Sequence, residues 1–154
     1  MCSSKLFTAT KKVFKMTKSL LYSAYESDPE LEKNGVWVEL EKGLEVKVAA
    51  FGNDSHLKYL KTLKKPYTSQ YRRDAVPSHV DEEIHLKAMC KEVLIDWRGE
   101  EWKDRDNNPL PYSPDNAFNL LSDPRMKKLK GDILFIASST ETFNPVDKED
   151  SIKN

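Results

Sequence analysis

The chain is 154 residues long, with 38% hydrophobic and 32% charged residues, enough apolar material for one globular body with its own core. Its 25 basic and 25 acidic residues cancel, so no overall field draws it to nucleic acid or to an anionic membrane. Two cysteines, Cys2 and Cys90, exclude a disulfide framework, and no apolar run approaches the ~20 residues of a membrane span. A reducing, cytoplasmic setting with no membrane contact is the expectation.

The charge is nevertheless blocked. Met1 to Leu20 carries five lysines and no acid, and Asn53 to Asp74 has six bases against two aspartates. Val80 to Asp106 reverses this, with nine acids against five bases. Blocks of this kind suit docking to a partner or to a second copy, although solvated faces produce them more often.

Taken in chain order, residues 1–15 are lysine-rich and weakly patterned. They read as a disordered extension, an upstream start ahead of Met16, or a frayed helix. The domain reading assigns 1–18 to a disordered or extended basic arm, 19–143 to a single α+β domain and 144–154 to a disordered tail. Val36 to Leu40 alternates apolar and polar residues, and Leu44 to Phe51 does so again after Glu41-Lys42-Gly43. A short loop ending in glycine predicts a β-hairpin, with Val36, Val38 and Leu40 facing the same side as Leu44, Val46 and Val48. A lone hairpin is unstable in water, so helices must cover its apolar face.

Gly52-Asn53-Asp54 leads into a helix carrying Leu57, Leu60 and Leu63, which Pro66 is expected to stop. Pro66 to Pro77 reads as a linker or an exposed loop. Ser78-x-x-Asp81 has the form of a capping box, opening a helix from about His79 to Ile95. Its stripe of Leu86, Met89/Cys90, Val93 and Trp97 follows helical spacing.

Ser113-Pro114 and Asp123-Pro124 each set a capping side chain before a proline at the first helical position, predicting two more helix starts. The last helix is expected from Pro124 to about Ser139, with a break possible at Gly131. The fold class read from this pattern is α+β, an N-terminal β-hairpin packed against a bundle of about four helices.

No chemical constellation holds together. Asp104-x-Asp106-x-Asn108 starts like a calcium loop, but Pro109 stands where glycine is needed and Asp115 where a bidentate glutamate is needed. His56, His79 and His85 have no metal spacing, no serine or cysteine sits in a nucleophile elbow, and no glycine-rich phosphate loop exists. No enzyme, cofactor or metal is expected. Lys58 to Arg73, with Tyr59, Tyr67 and Tyr71, mixes bases and aromatics as nucleic-acid faces do, but nearby acids offset it and nucleic-acid binding is the lesser expectation.

Four segments, GVWVEL, VLIDWRG, NPLPYSPDNAFNLLSDPRM and ETFNP, resemble in order and spacing a tail assembly chaperone of long-tailed bacteriophages, over roughly Gly35 to Asn144. The resemblance implies a non-enzymatic protein of the infected host's cytoplasm. A protein of that kind is expected to bind the tape measure protein, with the tail tube protein as a further candidate partner, and to self-associate. The alternative is a permanent structural component of the tail or the head–tail connector. A holdase needs apolar grooves with charged rims. Leu57, Leu60 and Leu63, with Met126, Leu129 and Ile133, are candidate groove walls, although core packing is the commoner role for each. Trp102, set among charges, is either an interface anchor or folded back onto the helices.

Overall fold

Residues 19–145 are described by the structure, a computed structural model. The expected basic arm at 1–18, and all of the expected tail beyond Pro145, lie outside the described residues. Two short helices come first: α1 (Leu20–Tyr25), capped by Ser19, and α2 (Pro29–Asn34), capped by Asp28 with Pro29 in its first turn.

The hairpin forms as the alternation requires. Strands β1 (Val36–Glu41) and β2 (Leu44–Val48) pair antiparallel, Val36 opposite Val48 and Val38 opposite Val46, so the apolar residues share one face. Two glycines close its far end. Gly43 and Gly99 both have positive φ, and the backbones meet so closely that a Cβ on Gly99 would lie 2.0 Å from the Gly43 carbonyl oxygen. Only glycine fits there. On the outer face the Arg98 guanidinium lies 4.0 Å from the Trp37 ring centroid and pairs with Glu45.

The sheet has a third strand that the helical spacing concealed. Helix α5 (Ser78–Glu92) ends before Val93, and β3 (Leu94–Arg98) pairs antiparallel with β2, which becomes the central strand. The stripe expected to run on to Trp97 therefore belongs to two elements. The last-turn carbonyls of α5 find distant partners. Asn53 Nδ2 donates to the Glu92 oxygen at 3.1 Å, the Ala49 N–H to the Val93 oxygen at 2.8 Å, and the Tyr112 hydroxyl lies 2.7 Å from both the Cys90 and Leu94 oxygens. Helix ends leave four such carbonyls without internal partners. Here Asn53 and Tyr112 take two of them, at Glu92 and Cys90.

Two further expectations are corrected. The segment read as a linker after Pro66 is instead a 3₁₀ turn (Lys65–Tyr67) followed by α4 (Thr68–Arg72), because proline is tolerated in the first turn of a new element. The capping box at Ser78 does not form: Pro77 occupies the cap position with no side-chain bond. The Asp81 carboxylate is drawn away to the Tyr71 hydroxyl at 2.7 Å and to His85 at 3.4 Å.

Helix α3 (Asp54–Lys64) starts on the Asn53 cap and packs against α5. Helix α6 (Pro114–Leu121) starts on the Ser113 cap, and a 3₁₀ turn (Pro124–Met126) on the Asp123 cap leads into α7 (Lys127–Ser138). Both proline-led starts form as read. Helix α7 runs unbroken through Gly131. A last 3₁₀ turn (Thr140–Phe143) brings Asn144, only 5% exposed, to the Ser23 and Glu26 carbonyls, so the folded body reaches at least that residue.

The fold is α+β: a three-stranded antiparallel sheet whose apolar face is covered by helices. Val46, Val48, Cys90, Val93, Leu94 and Ile133 are fully buried in one cluster, each large side chain contributing about 1.5–3 kcal/mol. Beside them Trp97 stacks on Trp102, with centroids 4.4 Å apart and planes 8° from parallel, while Tyr112 meets Trp97 edge-on at 5.2 Å. Both indoles are satisfied inside the fold: Trp97 Nε1 donates to the Leu110 oxygen at 2.9 Å, and Trp102 Nε1 to the Arg98 oxygen at 2.9 Å.

Candidate functional site: two grooves with apolar floors

The residues expected to meet a partner do not fall together. Ile133 has no exposed surface and belongs to the core. Trp102, 7% exposed, is folded back onto Trp97 rather than standing free. A partner at the surface cannot reach Ile133 without opening the fold. Leu63 is half-buried and lines neither groove described below.

The first groove, about 800 Å³, follows the bend between α3 and α4. Leu57 and Leu60 are on its floor, Leu57 55% exposed and Leu60 buried. Lys61, Lys64, Lys65 and Arg72 line it without a carboxylate among them. Its aromatic wall is Tyr71, whose ring has the Lys64 ammonium 5.0 Å from its centroid. Burial and the bond to Asp81 push the Tyr71 hydroxyl up to about 12, so it stays protonated.

The second groove, about 400 Å³, lies where the hairpin end meets the loop after β3 and the start of α7. It brings together Trp102, Met126 and Leu129, and adds Leu40, Leu44, Leu110 and Leu120, which the sequence did not mark as partner-binding residues. Leu110 stands alone among prolines and polar residues in sequence, and Leu40 and Leu44 read as ordinary hairpin positions, so no local signal marks them as a surface. Three acids (Glu41, Glu101, Asp132) and three bases (Lys103, Arg125, Lys128) rim the groove. Asp123 fixes its corner: hydrogen bonds from Arg125 hold the carboxyl well below the usual range, and Arg105 adds a contact at 3.2 Å.

Asp104 and Cys90 are committed to structure. Asp104 Oδ1 accepts the Asp106 and Asn108 N–H groups, both at 2.9 Å, in a loop closed by the Lys103–Pro109 bridge. The Cys90 thiol is buried and pushed up to about 12, which keeps it protonated and poorly nucleophilic. Among the described residues no three His, Cys, Asp or Glu side chains are grouped to hold a metal ion, and no helix is long and apolar enough to cross a membrane.

The described α+β body thus bears two open grooves with apolar floors and charged rims. Comparison with known families then places it. The family model described as YdaY prophage protein matches residues 51–154, and the chain belongs to that family. No curated protein and no solved structure matches the chain. The matched span holds all of the first groove and, of the second, everything except the hairpin residues Leu40, Glu41 and Leu44. Three of the four segments that carry the phage-tail resemblance also lie inside it, from Val93 onward.

Proposed function

We propose that the protein is a non-enzymatic tail assembly chaperone of a long-tailed phage, acting in the cytoplasm of the infected host. It binds apolar helical stretches of the tape measure protein and keeps them soluble while tail-tube subunits assemble around them. The observation that carries this reading is the second groove. Seven apolar residues form its floor and wall, and its rim charges balance, three against three. Such a groove selects by shape and apolar area rather than by sign of charge, and the rim keeps the unoccupied surface hydrated. Membership of a prophage family and the order of the four tail-like segments support the same reading.

Co-expression with the tape measure protein of the same phage tests it. The client is expected to remain soluble and to co-purify. Met126→Asp, a change at a half-buried groove residue, is expected to cut recovery of soluble client several-fold while leaving the thermal midpoint nearly unchanged. A client that aggregates equally with and without the protein would rule the proposal out. Mass spectrometry of purified particles separates the chaperone from a permanent tail or connector subunit, since a stoichiometric presence in mature virions fits only the latter.

A further inference from the structure

The first groove differs from the second in the sign of its rim, and that difference identifies an occupant. We propose that the groove between α3 and α4 docks an amphipathic helical segment of a partner protein, with leucine-type residues on one side and carboxylates flanking them. Leu57, more than half exposed on a helix otherwise rich in lysine, offers an apolar contact to solvent. Lys61, Lys64, Lys65 and Arg72 line the groove with it, no carboxylate is among the lining residues, and Asp81, the acid bonded to the Tyr71 hydroxyl, is also held by His85. The α3 side of the groove runs from Leu57 to Lys64, so it accommodates about two helical turns, roughly 12 Å. Two turns place about two apolar residues on one face, with acids at neighbouring positions within reach of the lysines.

The same cations attract nucleic acid, but the aromatic geometry favours a peptide. Single-strand binding relies on open aromatic faces on which bases stack. The Tyr71 ring is approached by the Lys64 ammonium, and its hydroxyl is anchored to Asp81. The neighbouring Tyr59 ring has the Lys91 ammonium 4.2 Å from its centroid. The apolar surface at Leu57 and Leu60 also has no use on a phosphate backbone. This inference is independent of tape-measure binding at the second groove, and its test uses neither the client nor that groove.

The test measures binding of the full chain to three fluorescent probes: a leucine-faced helical peptide flanked by glutamates, its lysine-flanked counterpart, and a single-stranded oligonucleotide of equal charge to the first. NMR shifts locate the contact. The acidic peptide is expected to bind saturably, with shifts at Leu57, Leu60, Lys64 and Tyr71, and to lose about tenfold in affinity on raising salt from 0.1 to 0.5 M. Lys61→Glu with Lys64→Glu is expected to weaken it about tenfold or more, and Leu57→Ser about fivefold; Leu57 and Lys61 are exposed and Lys64 only half-buried, so the fold survives. No saturable binding of the acidic peptide, or equal binding of the lysine-flanked one, overturns the proposal. Tighter binding of the oligonucleotide that ignores Leu57→Ser overturns it in favour of a nucleic-acid groove.

Discussion

Gly99 and Gly131 show why one residue type has opposite consequences in one chain. Gly99 holds φ at +125°, and any Cβ there would run into the Gly43 backbone, which has no flexible end to yield. Gly99→Ala therefore combines left-handed strain with a backbone clash and is expected to cost more than about 2 kcal/mol, read as a lowered denaturant midpoint. Gly131 sits inside α7 with nothing within 4 Å of the place a Cβ would take. Gly131→Ala is expected to raise stability by about 1 kcal/mol, because alanine loses less backbone freedom in a helix. The helix-interior cost of Gly131 was legible in the sequence. The Gly99 approach was not, since it depends on two turns 56 positions apart meeting in space.

At the scale of elements, the junction between α5 and β3 is the most instructive. No glycine or proline stands between Ser78 and Arg98, and the apolar stripe keeps helical spacing across the boundary. The helix ends because Asn53, Ala49 and Tyr112 take the carbonyls of its last turn and its cap, while β2 offers an open edge to the residues that follow. Tyr112→Phe removes the one hydroxyl within reach of both Cys90 and Leu94 and preserves the ring against Trp97. It is expected to cost about 1–3 kcal/mol by leaving a carbonyl without its partner. Hydrogen exchange should quicken at the end of α5 more than in α7. Loss spread evenly over the whole molecule would argue that Tyr112 acts only through general packing. By contrast, the starts at Ser113 and Asp123 were readable locally, because a cap and the proline after it lie within four residues.

For the molecule as a whole, His56 links folding to acidity. It is 2% exposed, its ring is 4.9 Å from that of Phe51, and its Nδ1 accepts the Gly52 N–H at 3.0 Å. Burial first, and the charge of His85 second, lower its pKa from the ordinary 6.5. Below about pH 6.5 the unfolded chain takes up a proton that the folded chain resists. The contribution is present in full above that pH and is lost as the pH falls through the folded value. Urea unfolding at pH 7.5 and 5.0 should show lower stability in acid, and His56→Asn, which keeps an acceptor for Gly52, should shrink the difference. An unchanged difference in the variant would assign the acid sensitivity to other groups.

The chain alone determined what is local: the hairpin and its apolar face, the Ser113 and Asp123 caps, and the basic cluster from Lys58 to Arg73. Each is written in residues a few positions apart, where spacing and side-chain chemistry act directly. Tertiary structure decided what depends on distant pairing. It turned Leu94–Arg98 into a strand, drew Trp102 inward onto Trp97, and put Ile133 in the core while leaving Met126 and Leu129 at a surface. Helical spacing marks which residues share a side of α7 but not how far the neighbouring hairpin reaches along it. That reach makes the second groove, and with it the surface on which the proposed function rests.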